Sequence, residues 1–316
     1  MSNMLFRVRL HHLGPLLVAF VCTNSLIAPE RGCKNGYFCN FTKTCGVGQP
    51  KPYMLSGKDI DLSEFPSIAQ LLIKPPKREA FVCLGAIVSD YHIVSAAKCV
   101  GSEMGNDTMA LPPSDEVKAY VGSSESLLKR IRDRPYSTPI GGHVVKSLCL
   151  HPLHDVVLLR LKMPLRFGKN KFQPACIAVD MDADNDWHED IYNTTCFQLG
   201  FGVDLGKSSG SPELARFLRR MPVRMLFDCN YFERPPRDRL CFLPVLKKRE
   251  ETELTEIDHG GPTICQNKRT KQWTVVGIAL KPLPSLERYQ GGFQAGVFDE
   301  RLVIRTLNGI CQGRYN

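Results

Sequence analysis

The stretch from Glu256 to Pro262, EIDHGGP, places a carboxylate and an imidazole directly before two glycines. An imidazole can attack an acyl carbon or accept a proton when a neighbouring group activates it. Two other segments supply candidate partners, because SAAKC contains Lys98 and HPLHD ends in Asp155. Within HPLHD, the side chains of His151, His154 and Asp155 would also suit a metal ion. The residue types therefore offer two chemistries, acid and base catalysis or metal binding.

The elements that would position these residues are strands. From Met54 onward, short apolar segments rich in β-branched residues alternate with Gly, Pro, Asp and Asn. This spacing predicts an all-β barrel or sandwich. The expected strands lie in FVCLGAIVS, HIVSAA, VKAYVG, DVVLLRLK, CFQLGFG, WTVVGIAL and AGVF. Only residues 299–310 have the apolar spacing of an amphipathic helix.

The N-terminal residues have the layout of a secretory signal. Arg7 and Arg9 precede an apolar run over 13–21 that is too short to span a bilayer. We therefore expect a signal peptide over 1–25, a secreted protein and no transmembrane anchor. Removal of Cys22 leaves an even number of cysteines without any C-x-x-C pair, which favours disulfides over a zinc or redox site. Three glycosylation acceptors fit the same compartment, at Asn40, Asn106 and Asn193.

The chain has a formal net charge of +9, with basic clusters over 74–79, 129–134 and 247–250. Acids or prolines interrupt each cluster, so we expect solvated loops there. The clusters leave an acidic glycan open as a ligand. Secretion argues against nucleic acid as a partner.

Three segments resemble, in this order, the motifs of the trypsin and chymotrypsin family of serine proteases. SAAKC (95–99) resembles AAHC, HDVVLLRL (154–161) resembles DIALLRL, and IDHGGP (257–262) resembles GDSGGP. The resemblance covers about Met54 to Cys311. It implies an all-β fold of two packed six-stranded antiparallel β-barrels with a C-terminal helix.

Acyl transfer in this family needs a serine, a histidine that takes its proton and a carboxylate that orients the histidine. By resemblance, Lys98 stands at the histidine position, Asp155 at the carboxylate position and His259 at the serine position. A lysine ammonium at neutral pH has no lone pair to accept a proton. We therefore predict an ion pair between Lys98 and Asp155 and no catalysis. With Asp155 assigned in this way, we expect neither a metal nor a cofactor.

The resemblance also locates remnants of the oxyanion hole, the substrate pocket and the activation site. Ile257 stands where the family has a glycine that lines the oxyanion hole. The run that pairs with the substrate backbone in the family is replaced by Leu280, Lys281 and Pro282, and proline has no N–H to donate. YMLSG (53–57) replaces the terminus that activation would release. Asp258 is kept, and the sequence leaves its partner open.

The disulfide pairs implied by the resemblance fall into two groups. Three are internal to the protease-like domain: Cys83 with Cys99, Cys196 with Cys265 and Cys229 with Cys241. The others involve the N-terminal segment and the chain end: Cys45 with Cys176, Cys33 with Cys39 and Cys149 with Cys311. The expected domains are the signal at 1–25, a short disulfide-stapled segment with its linker at 26–53, and the protease-like domain at 54–316.

A short cysteine-bearing segment before an inactive trypsin-like domain resembles the secreted clip-type serine protease homologues of insects. The resemblance implies a noncatalytic regulator, a cofactor or decoy in an immune or seminal-fluid protease cascade. Its partner would be an extracellular protease, zymogen, inhibitor or cell-surface protein. Two alternatives stay open: an adhesive protein that binds glycans or cell surfaces, and a weak peptidase that uses His259.

Overall fold

The computed structural model describes residues 21–23, 45–46, 58–59, 64–74, 79–100, 102–104, 108–110, 113–133, 141–150, 155–168, 172–177, 194, 196–205, 212–226, 239–245, 252–253, 258–267, 271–282 and 293–297. Each apolar segment that the sequence predicts to be a strand contains one. The all-β prediction is confirmed, because the few helices in this part of the chain are short.

The first half of the chain forms a closed six-stranded antiparallel barrel. The elements of this half of the chain are β1 (Val21–Thr23), β2 (Lys58–Asp59), β3 (Ile68–Ile73), β4 (Phe81–Ile87), β5 (His92–Ala96), α1 (Ala97–Val100), β6 (Ser102–Met104), β7 (Thr108–Ala110), a 3₁₀ turn (Ser114–Glu116), β8 (Val117–Val121), α2 (Leu127–Asp133), β9 (His143–Leu150) and β10 (Val156–Leu161). Strand β2 does not join this sheet and pairs instead with Arg219 and Arg220 of the second barrel. The sheet runs β9-β10-β5-β4-β3-β8, and β8 pairs back with β9 to close it. Strand β1 adds to the end of β9, whereas β6 and β7 form a separate hairpin.

The second half forms another barrel with the same number of strands. The elements of this half of the chain are β11 (Cys176–Ile177), β12 (Cys196–Gly200), β13 (Val203–Leu205), β14 (Pro212–Leu214), β15 (Arg219–Leu226), β16 (Arg239–Pro244), β17 (Thr252–Glu253), β18 (Pro262–Gln266), β19 (Trp273–Pro282) and β20 (Phe293–Val297). Strands β13, β14 and β17 form a separate three-stranded sheet. The order is β19-β18-β12-β15-β16-β20, and β20 pairs with β19 to close the sheet. The two-barrel architecture implied by the resemblance is thus confirmed.

Strands β3, β4, β5 and β10 of the first barrel are buried over nearly their whole length, which fits their nearly continuous apolar sequences, whereas β8 alternates between buried and partly exposed residues. All six residues of β3 are buried. Leu71 and Ile73 belong to the main core, whereas Leu72 packs with Val82 and Leu127 under α2. One face of the sheet therefore fills the barrel, and the helix covers the other.

An aromatic cluster packs beside a buried ion pair in the core. The ring centroid of Phe65 lies 5.3 Å from that of Trp273 and 5.8 Å from that of Phe197. Next to this cluster, the guanidinium of Arg220 donates to the carboxylate of Glu64 and lies over the Phe197 ring. Both side chains are almost fully buried. This pair links the segment before β3 to β15. Removal of either partner would leave the other charge buried alone.

The N-terminal segment is fixed to the second barrel where it is described. Cys45 is bonded to Cys176, one of the pairs that the resemblance implies. The N–H of Gly46 donates to the carbonyl of Pro174, and the N–H of Trp273 donates to the carbonyl of Gly46, both at 3.0 Å. A Cβ on Gly46 would lie 2.5 Å from the Trp273 carbonyl oxygen, so only glycine fits here.

One sequence prediction is wrong, and others fall where the structure gives no description. The cluster over 129–134 is not simply a loop, because α2 extends over Leu127–Asp133 and packs by three apolar side chains. The predicted C-terminal helix over 299–310 lies outside the described residues. Strand β1 belongs to the predicted signal peptide and places Cys22 opposite Cys149. No helix in the described part of the chain is long and apolar enough to cross a membrane.

Candidate functional site

Lys98 and Asp155 meet at the start of α1, but not as an ion pair. The main-chain N–H of Lys98 donates to Oδ1 of Asp155 at 2.9 Å, and the N–H of Ala97 donates to the Asp155 carbonyl at 3.2 Å. These are the first N–H groups of the helix, which have no partner within it. Asp155 therefore caps α1 with both its side chain and its backbone.

The predicted ion pair between Lys98 and Asp155 is wrong. The Lys98 side chain is exposed, and no ion pair joins these two described residues. An ion pair at the surface contributes little, since holding a long side chain in one conformation costs entropy. A carboxylate that already accepts a backbone N–H gains little more from the ammonium, which stays in solvent.

Asp258 has the partners that the sequence left open. Its Oδ1 accepts the N–H of Phe201 at 2.6 Å and the N–H of Gly202 at 3.0 Å. The residue is 1% exposed. A Cβ on Gly200 would lie 2.5 Å from the same oxygen, so the strand before the two donors must approach without a side chain. These bonds place Asp258 against the end of β12 in the second barrel.

The turn that follows Asp258 connects the two barrels. The carbonyl of His259 accepts the N–H of Leu84 on β4 at 3.1 Å, whereas the N–H of Gly260 donates to Ala279 on β19 at 2.9 Å. Gly260 has φ +78°, and a Cβ there would lie 2.2 Å from both the Leu84 carbonyl oxygen and the Ser95 hydroxyl oxygen. This close contact requires glycine at position 260.

The hydroxyl nearest this turn has a structural partner. Ser95 is buried, and its hydroxyl donates to the Leu84 carbonyl at 2.6 Å. Its engagement removes one alternative nucleophile from the turn. The His259 side chain is half-buried, and the described bonds of this residue that join the barrels come from its backbone.

The residues that the resemblance assigns to the substrate pocket lie at the end of β19. Leu280 is buried, and Lys281 and Pro282 stand opposite Gln294 and Phe293 of β20. Because Pro282 has no N–H, an extended peptide cannot receive a hydrogen bond from that position. Ile257, the oxyanion-hole remnant, lies outside the described residues.

Two of the disulfides implied by the resemblance support the strands around this junction. Cys83 is bonded to Cys99, which joins β4 to α1, and Cys196 is bonded to Cys265, which joins β12 to β18. Each of the remaining predicted pairs includes at least one cysteine outside the described residues. These pairs are 229 with 241, 33 with 39 and 149 with 311. Asn40, Asn106, Asn193, His151 and His154 lie outside the described residues.

Three titratable groups of the first barrel have shifted pKa values. Burial raises the pKa of Asp90 in the β4 to β5 turn, although backbone hydrogen bonds partly offset the effect. Burial lowers the pKa of His143 at the start of β9. Burial also raises the pKa of Tyr120 on β8, and the positive charge of Arg130 partly opposes that shift.

Sequence reasoning missed Gln70, a buried amide that organises the chain before α2. Its Oε1 accepts the N–H of Leu127 at 2.7 Å, and its Nε2 donates to the carbonyls of Glu125 at 2.8 Å and Ser123 at 3.3 Å. The available signal was a glutamine inside the apolar segment IAQLLI, because a buried amide needs hydrogen-bond partners. Nothing comparable in the sequence marks Glu64 and Arg220 as buried, because each has polar or charged neighbours in the chain that are common at protein surfaces.

Comparison with known proteins finds relatives among insect serine proteases. The chain is 22% identical to venom serine protease 34 of Apis mellifera over 294 residues, which are 89% of the chain and 64% of that protein. It is 30% identical over 148 residues to phenoloxidase-activating factor 3 of Holotrichia diomphalia, covering 42% of the chain and 39% of the relative. It is 28% identical over 163 residues to inactive serine protease scarface of Drosophila melanogaster, covering 48% of the chain and 20% of the relative.

These matches leave part of every relative uncovered. The chain spans less than two thirds of the length of each of the three proteins. No family model matches it. The names of the relatives include both proteases and an inactive protease.

Proposed function

We propose that this chain, which is similar to insect serine proteases and has two antiparallel barrels, is a secreted homologue of the trypsin family that binds a partner and has no peptidase activity. The observation that carries the proposal is the junction of the barrels. A lysine and a histidine occupy its two key positions, and both nearby aspartates accept backbone N–H groups. Serine-type acyl transfer needs a hydroxyl in contact with a base, and these residues supply no hydroxyl.

The partner is an extracellular protein, and the role is that of cofactor or decoy in a protease cascade. One relative is named as a factor that activates phenoloxidase and another as an inactive protease, which supports a place in such a cascade. Binding needs complementary surfaces and not a catalytic triad. The proposal keeps the signal at 1–25, the cysteine-bearing segment at 26–53 and the protease-like domain at 54–316.

The direct test is turnover of a peptide library by the purified, disulfide-bonded protein. We expect no cleavage by the wild type, because Lys98 is exposed and Asp155 is engaged as a cap. Cleavage that disappears in His259→Ala would contradict the proposal and support the weak peptidase instead.

A restoration variant makes the test more severe. We expect the double variant Lys98→His, His259→Ser to cleave little, because the pocket strand contains Pro282 and the activation terminus is replaced. Efficient cleavage by this variant would show that the pocket is intact. Crosslinking in the native secretion, with mass spectrometry of the products, would then identify the partner of the wild type.

A further inference from the structure

The start of helix α2 and the segment before it form hydrogen bonds with both barrels. Gln70 anchors its start from β3 of the first barrel, on the face of the sheet that the helix covers. From the second barrel, the N–H of Leu218 donates to the Ser124 carbonyl at 2.6 Å, and the N–H of Ser126 donates to the Arg216 carbonyl at 2.7 Å. The segment before the helix therefore forms a bridge across the seam, and the helix that follows is held by both barrels.

One face of α2 is apolar and covered. Leu127 is buried, and Leu128 and Ile131 pack with it against Leu72 and Val82 of the sheet. This contact explains why a helix of only seven residues persists, because isolated helices of that length are unstable in water. Its orientation is thereby set, and the opposite face points away from the barrel.

The opposite face carries cations. Lys129 and Arg132 are one turn apart, and Arg130, with 45% of its side chain exposed, lies on the other side of Lys129 from Arg132. Arg216, 65% exposed, lies close by, since its Nε is 3.2 Å from Oε1 of Glu125 while Nε of Arg130 is 4.0 Å from Oε2. A single carboxylate thus already lies between two of these arginines.

We propose that this surface, formed by Lys129, Arg130, Arg132 and Arg216, docks an acidic polypeptide segment of the binding partner; the inference rests on the proposed function and names its docking site. A guanidinium donates strong hydrogen bonds to a carboxylate, and the Nε of Arg216 already donates one to Glu125 within the chain itself. The support from both barrels means that little ordering is needed on binding.

A polypeptide fits this surface better than a uniformly charged glycan. Glu125 and Asp133 place two carboxylates among the cations, and a dense polyanion would meet both of them. A peptide can place its carboxylates beside the arginines and an apolar side chain elsewhere. Phe217, which lies under the Arg216 guanidinium with the cation 5.4 Å from its ring centroid, offers a partly buried aromatic contact.

The test measures fluorescence anisotropy of a labelled peptide of alternating glutamate and leucine with the full-length protein. The variant Lys129→Glu, Arg132→Glu reverses two cations of the surface. The matched control, Lys162→Glu, Lys271→Glu, makes the same change in formal charge at two exposed lysines elsewhere. We expect the first variant to weaken binding about tenfold or more and the control to change it less than about twofold. Binding should also weaken as salt is raised.

Several results would overturn the proposal. They are no binding to the wild type, an equal loss in both variants, or tighter binding of a sulfated oligosaccharide that depends on Lys129 and Arg132. If the glutamate variant fails to fold, Lys129→Gln, Arg132→Gln removes the charges without reversing them and must still weaken binding. The peptidase assay separates the two proposals. Cleavage by the wild type would defeat the proposed function, whereas peptide binding by the variant Lys129→Glu, Arg132→Glu that equals binding by the wild type would defeat only this docking site.

Discussion

The two halves of the junction differ in what holds their residues. On the first barrel, Lys98 extends into solvent and Asp155 caps a single helical turn. On the second barrel, Asp258 is buried against two N–H donors, and Gly260 fits between Leu84 and Ser95 without room for a methyl group. The first half can change its side chains at little cost, whereas the second half is part of the packing that joins the barrels.

This difference separates chemistry from architecture. The resemblance assigns the reactive groups of a serine protease to positions 98 and 259, and the backbone contacts of the turn do not depend on the side chains there. The carbonyl of His259 accepts its hydrogen bond from Leu84 whatever the side chain at position 259. The side chains at these two positions can therefore change while the two-barrel fold remains.

The largest effect should come from Gly260→Ala. The added methyl would overlap the Leu84 carbonyl and the Ser95 hydroxyl, and the backbone has a positive φ. We expect a loss of about 4 kcal/mol or more in the free energy of unfolding, measured by urea titration, or failure to accumulate folded protein.

Gly141→Ala is the matched control for that experiment. Gly141 also has positive φ, at +92°, but a Cβ there would meet nothing within 4 Å. Its substitution should cost only about 1 kcal/mol, from backbone strain alone. Equal losses in the free energy of unfolding at the two positions would mean that packing at the junction adds nothing to the cost of backbone strain.

Removal of the two aspartates should also cost more in the second half of the junction than in the first. Asp258→Ala removes the acceptor of two buried N–H groups, so we expect a loss of about 3 kcal/mol in the free energy of unfolding. Asp155→Ala removes a helix cap and should cost about 1 kcal/mol. The measurement is urea unfolding of both variants under the same conditions, and a larger loss at Asp155 would reverse the comparison.

The smallest effect should come from Lys98→Ala. The side chain is exposed and forms no ion pair with Asp155, so we expect a change within about 0.5 kcal/mol in the free energy of unfolding. Lys162→Ala, another exposed lysine, provides the reference. A loss well above that of Lys162→Ala would indicate that the ammonium stabilises the junction after all.

The sequence allows the strands to be predicted because strand signals are local, as in WTVVGIAL, where β-branched residues stand in a short run. The arrangement of the strands in two barrels was implied only by the resemblance of the motifs around Lys98, Asp155 and His259. Helix α2 was missed because a charged segment dominated the pattern, although Leu127, Leu128 and Ile131 have helical spacing.

The partners of Asp258 could not be predicted for a different reason. Its hydrogen-bond donors are main-chain N–H groups 57 and 56 positions away, and every residue except proline carries such a group. The prediction of an ion pair between Lys98 and Asp155 was wrong because a sequence shows complementary charges but does not show which backbone N–H will bind the carboxylate instead. Side-chain types indicate which bonds are available, and only the fold decides which are made.

The bond between Cys45 and Cys176 also determines how the molecule would carry a mechanical load. The bonded residues are 131 positions apart, and strands β3 to β10 all lie within the loop that this bond closes. Tension applied between the segment before Cys45 and the end of the chain passes through the sulfur atoms directly into the second barrel. Those strands of the first barrel stay out of the load path until the bond is reduced, so the domain can be pulled from its N-terminal side without unravelling them.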